Sequence, residues 1–358
     1  MRAEPTPALA APARLLRERL LGWYDRARRD LSWRAGPGVA PDPWHVLVSE
    51  LMLQQTTVAT VRSRFGPFLA RFPTLASLAE APLDDVLHAW QGLGYYRRAR
   101  ALHACAQAVA ARHGGRLPLD HDTLLELPGI GPYTAAAVAA NAGERSVVPV
   151  DANVERVLSR MVALTTPLPA ARPQLRAVAA TLASPSRSGD LAQAVMELGA
   201  LVCTPRRPAC LACPWRSWCR ASALGEPERY PPQAARKERT AVFANAFLLE
   251  RTDGAVLFRQ RPETGLLAGM IELPSTPWLA DPQAAAGAVG PSLPADARLV
   301  VIPGRVRHLF THLDLSVAVM RGRLSTRSDG LWVKPDGFAA LALPTLTKKL
   351  LRHAGLDC

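Results

Sequence analysis

Lysine is almost missing from this chain: of its 43 basic residues only Lys237, Lys334, Lys348 and Lys349 are lysine, and the other 39 are arginine. Aromatic residues make up 6% of the sequence and charged residues 20%. No apolar run approaches the roughly 18 residues needed to cross a bilayer, so no membrane-spanning helix is expected. The first residues, MRAEPTPALAAPARLLRERL, lack the unbroken apolar stretch of a secretory signal. Glu4 and Glu18 argue against an arginine-rich organellar leader. These absences point to an intracellular protein. What is present is a 358-residue chain, 49% hydrophobic, with enough apolar material for two or three packed domains. That excludes a disordered tail or a disulfide-stapled miniprotein. The net charge of +13 suggests a polyanionic partner.

The charge is shared unevenly. Residues 1–225 hold 26 basic and 17 acidic groups, and residues 226–358 hold 17 and 13. In the first half, apolar residues recur at helical spacing over Leu15 to Tyr24, Val46 to Val61, Leu83 to Trp90, Ala99 to Ala111 and Thr134 to Asn141. Short proline and glycine punctuation separates these stretches, which predicts an all-helical domain over 1–224. Residues 225–239, with three prolines and many charges, read as an exposed linker. From 240 to 358 alternating β-branched segments appear, at Ala241 to Leu249, Ala255 to Phe258, Leu299 to Ile302 and Leu313 to Met320, predicting an α+β domain.

Four of the six cysteines lie in one segment, Cys203-x6-Cys210-x2-Cys213-x5-Cys219. In an intracellular chain thiols stay reduced, so such spacing points to a metal centre. Zinc is one candidate, but its structural sites usually pair two close knuckles and here there is one Cys-x2-Cys. The compact, uneven spacing suits a 4Fe-4S cluster better. Arg206, Arg207, Arg216 and Arg220 flank these thiols, so the loop would form a basic surface element. Cys105 sits on an apolar helical stretch and reads as packing. Cys358 reads as an exposed terminal thiol.

Leu127-Pro-Gly-Ile-Gly-Pro-Tyr-Thr-Ala135 joins a helical stretch ending at Glu126 to a helix starting near Pro132. Gly129 and Gly131 expose backbone N–H groups at a helix start, a seat for a phosphate, although an ordinary helix-to-helix loop is the plainer reading. Glu50 has Val46, Leu47 and Leu53 among its helical neighbours, so its face points inward. Desolvation there should raise its pKa and suit it to donate a proton, unless a buried arginine pairs with it. Asp151 follows Val147-Val-Pro-Val150 and precedes a helical pattern, so it occupies an N-cap, whose N–H bonds should keep it ionised. Two carboxyls with pKa values pushed apart suit glycosidic-bond cleavage.

The hairpin turn, the Val150-Asp151-Ala-Asn-Val-Glu-Arg-Val-Leu158 segment and the cysteine loop together resemble the helix-hairpin-helix DNA glycosylases that carry an iron–sulfur cluster. Within them, Ser49-Glu-Leu-Met-Leu-Gln-Gln-Thr56 and Gln91-Gly-Leu-Gly-Tyr-Tyr96 resemble the MutY family, adenine glycosylases acting opposite 8-oxoguanine. The resemblance implies a fold of two parts: an all-α glycosylase domain with its 4Fe-4S loop, then an α+β Nudix-like domain. It implies that Glu50 protonates the adenine and Asp151 stabilises the sugar cation, with Asn153 positioning the sugar or Asp151. Tyr133 stands where lyase-type relatives place a lysine nucleophile. A phenol forms no Schiff base, so a monofunctional enzyme is expected. Arg34 and Glu197 would read the flipped adenine, and Gln55, Thr56, Leu93 and Tyr95 the opposite base, with Tyr95 wedging the stack. Leu93 and Tyr95 as core, Arg34 as a surface charge and Glu197 as a helix-face carboxylate are the plainer alternatives.

In the second half, Thr264-Gly-Leu-Leu-Ala-Gly-Met-Ile-Glu-Leu-Pro274 and His308-Leu-Phe-Thr-His312 resemble the Nudix-like domain of the same family. Phe310, Thr311 and His312 would contact 8-oxoguanine. The acidic Arg-Glu-x-x-Glu-Glu helix that binds magnesium is missing, so this domain is expected to read a base and not to hydrolyse a nucleotide. Ile271 and Ala152 depart from the residues common in the family. The implied partner is double-stranded DNA bearing 8-oxoguanine:A or G:A, bound by a monomer in a bacterial cytoplasm at the nucleoid. The competing readings are an endonuclease III-like lyase on oxidised pyrimidines and a non-catalytic protein that binds damaged DNA.

Overall fold

A computed structural model of the chain describes residues 7–36, 39–232, 238–262, 264–288, 298–324, 330–341 and 343–357. Glu4, Lys237, Cys358 and part of the 225–239 segment lie outside the described residues. The chain divides into two compact units, Met1–Ala235 and Arg236–Cys358.

The first unit is helical among its described residues: α1 (Ala13–Ala27), α2 (Pro43–Leu53), α3 (Val58–Arg71), α4 (Leu75–Glu80), α5 (Leu83–Ala89), α6 (Arg97–Arg112), α7 (His121–Leu125), α8 (Pro132–Asn141), α9 (Ala152–Val162), α10 (Arg172–Leu182), α11 (Ser188–Leu201) and α12 (Arg220–Ala223). Their starts follow from local chemistry. Asp42 caps α2 by accepting from Trp44 N at 2.8 Å, with Pro43 in the first turn, and Thr74 and Ser77 form a reciprocal capping box on α4. The apolar run from Val46 to Val61 predicts one helix, yet the structure breaks it between α2 and α3. Gln55 turns into the left-handed region at φ 54°, and Thr57 then caps α3 by accepting from Thr60 N.

The unit holds two apolar cores. One gathers Val46, Leu47 and Leu51 of α2 with Phe65, Phe68, Trp90, Leu102, Cys105 and Val138. The other gathers Leu16 and Leu20 of α1 with Val154, Leu158, Leu175, Leu198 and Trp215. Helix α8 packs on both α2 and α11, so it forms the seam between the cores. The segment after residue 225 departs from an exposed linker at Tyr230, which is buried and whose carbonyl accepts from Arg160 Nε at 3.2 Å. A buried guanidinium needs acceptors, and this carbonyl is one of them.

Among its described residues the second unit holds a seven-stranded mixed sheet: β1 (Thr240–Arg251), β2 (Val256–Gln260), β3 (Ile271–Glu272), β4 (Arg298–Val301), β5 (Val306–Leu309), β6 (Leu313–Leu324) and β7 (Leu331–Val333). The strand order is β3-β2-β1-β6-β4, with β5 paired to β6 and β7 to β2. Strands β1 and β6 run parallel from Thr240↔Leu313 to Arg251↔Leu324, and the other pairs are antiparallel. Ala244, Ala246 and Leu248 of β1 face one core, which Leu346, Leu350 and Leu351 of helix α14 (Thr345–His353) complete. Phe247 and Leu249 face a smaller cluster with Leu257. The short helix α13 (Pro282–Gly287) closes over β1, where buried Asn245 donates to the Ala285 carbonyl at 2.7 Å. Period-two burial on both faces explains why β1 reads as a nearly continuous apolar run. Strands β3, β5 and β7 are short and carry little periodic signal, so the sequence did not reveal them.

Candidate active site

The seam between the two helical cores brings together residues far apart in sequence. Glu50, on the inward face of α2, is 7% exposed. Its Oε2 accepts from the Tyr133 hydroxyl at 2.8 Å, and Asn141 Nδ2 approaches Oε1 at 3.5 Å. Burial is the main cause that pushes the Glu50 carboxyl up to about 7; the neighbouring Asp151 charge adds to it, while the Tyr133 hydrogen bond and Arg34 oppose it. The acid expected from the sequence is therefore protonated in a substantial fraction of molecules near neutral pH. Tyr133 is itself desolvated beside two carboxyls, which raises its pKa well above the usual phenol value and keeps it a neutral donor. Asn141 was missed in the sequence because it ends a run of alanines with no pattern around it. Its Oδ1 is buried without a partner, so an amide turned over would meet a protonated Glu50.

Asp151 caps α9 as expected: Oδ1 accepts from Val154 N at 2.7 Å and Oδ2 from Asn153 Nδ2 at 3.0 Å. Its pKa lies above the ordinary carboxylate value. Burial raises it, and the bonds from Val154 and Asn153, with the charge of Arg156, oppose that rise without reversing it. Asn153 accepts in turn from Arg156 at 2.8 Å, and the same guanidinium donates to the Gly199 and Cys203 carbonyls at 2.7 Å each. A Cβ at Gly199 would stand 2.7 Å from that of Asn153, so glycine there lets α11 close on this residue. The cap is thus tied to the start of the cysteine loop.

Glu197 lies together with Arg34, the residue the sequence paired with it. It is fully buried, and its two oxygens accept from Arg29 N, Nε and Nη2 and from Arg34 Nη2, all between 2.8 and 2.9 Å. Burial would raise its pKa, but the bonds from Arg29 and Arg34 prevail and hold it down to about 2. With four donors on its two oxygens, Glu197 orients Arg29 and Arg34. Arg29, which no sequence signal singled out, is the second cation of this set.

The turns proposed to meet the opposite base lie together. Gln55 is exposed, Thr56 half-buried, and Tyr95 is 62% exposed with φ 46°. Leu93 is corrected: it is 4% exposed and belongs to the first core, the place its apolar side chain prefers. In the hairpin, Gly129 has φ 74°, and a Cβ there would lie 2.4 Å from that of Ala101. Gly131 has an ordinary extended conformation with open space around it, leaving the first turn of α8 accessible. In the second unit, Phe310 lies in the turn between β5 and β6 and packs on Trp278 at 5.3 Å and His308 at 4.6 Å, while Thr311 and His312 are exposed.

The cysteine loop fits an iron–sulfur cluster. Cys203, Cys210, Cys213 and Cys219 are free thiols, all half-buried. Arg160, 2% exposed, places Nη1 3.3 Å from Cys203 Sγ and donates to the Thr204 and Pro205 carbonyls at 2.7 and 3.0 Å. A buried cation beside sulfur compensates thiolate charge. Arg206, Arg207, Arg216 and Arg220 are exposed around the loop.

A helical hairpin beside a buried acid, with this cysteine loop, defines a base-excision repair glycosylase, and comparison with known proteins agrees. Residues 48–178 match the HhH-GPD superfamily base excision DNA repair protein, 203–219 the iron-sulfur binding domain of endonuclease III, and 245–353 the NUDIX domain. The human adenine DNA glycosylase is 36% identical over 93% of this chain and 72% of its own length. That of Mycolicibacterium smegmatis is 49% identical over 58% and 70%. Among solved structures, a thermostable thymine-DNA glycosylase matches with TM-score 0.54 at 27% identity, covering 60% of this chain and 97% of that one. An endonuclease III–DNA covalent intermediate has the same fold, with TM-score 0.50 at 21% identity over 59% and 96%. The chain belongs to the adenine DNA glycosylase family and has a 4Fe-4S cluster as its cofactor. No helix among the described residues is long and apolar enough to cross a membrane.

Proposed function

We propose that this chain hydrolyses the N-glycosidic bond of adenine mispaired with 8-oxoguanine or guanine in double-stranded DNA. The observation that carries the reading is Glu50, buried and pushed up to about 7 beside Asp151. A carboxylic acid at that pKa gives its proton to a ring nitrogen of adenine as the C1′–N bond breaks, and the bonding pair leaves with the base. Asp151, positioned by Asn153, faces the sugar cation that develops, and water then adds at C1′. Tyr133 stays a neutral donor, so the enzyme is monofunctional and leaves an abasic site.

Arg34, aimed by Glu197, contacts the flipped adenine. Gln55, Thr56 and Tyr95, and separately Phe310, Thr311 and His312, read the opposite base, while the hairpin at Gly129 and Gly131 and the arginines of the cysteine loop hold phosphates. Cys203, Cys210, Cys213 and Cys219 hold the cluster. Residues 1–224 act as the catalytic domain and 240–358 as the base reader, joined through 225–239. The working form is a monomer at the bacterial nucleoid.

Single-turnover adenine release from 8-oxoguanine:A and G:A duplexes, with T:A as control, tests the reading. Release from the two mispairs alone is expected, with a loss of about 10²- to 10⁴-fold in Glu50→Gln. A Glu50→Gln variant as fast as the parent would overturn the assignment of the acid.

A further inference from the structure

Arg98, in the first turn of α6, is 8% exposed, and no part of the chemistry above uses it. Its Nη1 donates to the Leu51 and Met52 carbonyls, both at 2.8 Å. Its Nη2 donates to Thr56 Oγ1 and the Leu93 carbonyl, both at 2.9 Å, and to the Gly94 carbonyl at 3.2 Å. The guanidinium also lies 5.5 Å from the Trp90 ring and 5.6 Å from the Tyr95 ring. Leu51 and Met52 belong to the last turn of α2, whose carbonyls lack helical partners and carry the negative end of the helix dipole. One planar group therefore joins the end of the Glu50 helix to two separate turns.

Both turns contain a non-glycine residue in the left-handed region, Gln55 at φ 54° and Tyr95 at φ 46°. Such conformations are strained and persist where surrounding bonds over-determine them. Arg98 supplies those bonds on the flanks of each: Met52 and Thr56 around Gln55, Leu93 and Gly94 before Tyr95. Arg98 Nε is buried without a partner. An arrangement selected for stability alone would satisfy it or use an apolar residue. Lysine cannot replace the fork, since its donors radiate from one nitrogen and cannot serve acceptors on opposite sides.

We propose that Arg98 is a positioning residue for opposite-base discrimination, locking the Gln55 and Tyr95 turns to each other and to the end of the helix that carries Glu50. This rests on the reading of Gln55, Thr56 and Tyr95 as opposite-base contacts. A base that seats well against both turns is then registered against the acid, whereas a loosened turn accepts 8-oxoguanine and guanine more evenly.

The test compares full-length parent, Arg98→Lys, Tyr95→Ala and the double variant in single-turnover adenine release from 8-oxoguanine:A and G:A, with melting temperature as the folding control. The ratio of the two rates is expected to contract about tenfold in Arg98→Lys, equivalent to ~1.4 kcal/mol, and no further in the double variant than in Tyr95→Ala. A proportional loss on both duplexes, as from a merely structural role, or an unchanged ratio in a folded Arg98→Lys would overturn the proposal. Should Arg98→Lys not fold, Arg98→Gln, which keeps an amide donor but cannot make all the Nη1 and Nη2 bonds at once, takes its place: a contracted ratio supports the proposal and an unchanged one overturns it. An unchanged ratio in Tyr95→Ala would instead sink the opposite-base reading, and this proposal with it. A lowered ratio there with a preserved one in Arg98→Lys sinks the Arg98 proposal alone.

Discussion

The Tyr133 hydroxyl, on the first turn of α8, donates to Glu50 Oε2 on α2 across 2.8 Å. Eighty-three positions separate the two residues in sequence. The bond favours the ionised carboxylate, while burial favours the protonated acid, and burial wins by enough to leave Glu50 at about 7. Tyr133 thus moderates the acid. A phenol forms no Schiff base, so under the proposed function Tyr133 serves the acid as a hydrogen-bond donor and not as a nucleophile.

The rate of adenine release should fall as pH rises through about 7, where Glu50 loses its proton. Its charge is sensed by Asp151 at the α9 cap, Tyr133 on α8 and Arg34 after α1. The stability effect has the same sign. A folded-state pKa above the unfolded value means that the native state holds the proton longer, so stability declines between about pH 4.5 and 7. Glu50→Gln should therefore be more stable than the parent at pH 8, by roughly 1–3 kcal/mol, with a smaller difference at pH 4. Urea unfolding at the two pH values checks this.

Tyr133→Phe removes a bond that favours the charged form of Glu50. The alkaline limb of the pH–rate profile should shift to higher pH, with the aromatic packing retained. A limb that moves down, or does not move, contradicts the assigned role. Borohydride should trap no covalent DNA adduct in either protein, since neither side chain forms an imine.

The two hairpin glycines should respond differently. Gly129→Ala meets both a positive φ and Ala101, and should cost about 1–3 kcal/mol of stability. Gly131→Ala has an ordinary conformation and open space, so its stability should stay near that of the parent. Its affinity for duplex DNA should drop as the added methyl crowds the phosphate seat. Paired denaturation and binding curves separate the two effects.

Arginines around the cysteine loop should divide by burial. Replacing the exposed Arg206, Arg216 and Arg220 by alanine should flatten the dependence of log K on log salt by about 0.9 per lost phosphate contact, equally for mispaired and matched duplexes. Arg160→Met should lower the iron content of the purified protein, because the Tyr230, Thr204 and Pro205 carbonyls and the Cys203 sulfur lose their cation. Metal analysis reads it directly.

Elements with strong periodicity or strong spacing were legible in the amino-acid order. The helical first half, the Asp151 cap, the cysteine loop and the inward face of Glu50 are each set by residues within a few positions of one another. The long strands β1 and β6 were legible for the same reason. Matters that depend on distant partners were settled in three dimensions. The apolar run 46–61 looks like one helix until Arg98 and Thr57 fix a break at Gln55. Glu197 reads as a carboxylate on a helix face until the fold brings Arg29 and Arg34 onto its oxygens. Leu93 looks like a lesion contact until the first core takes it, and the cap bonds of Asp151 would lower its pKa were burial not to raise it. Local pattern reports covalent neighbours and helix or strand period. Desolvation and hydrogen-bond saturation depend on which atoms the fold brings within about 3 Å, and at Glu197 and Arg29 those atoms lie 168 residues apart.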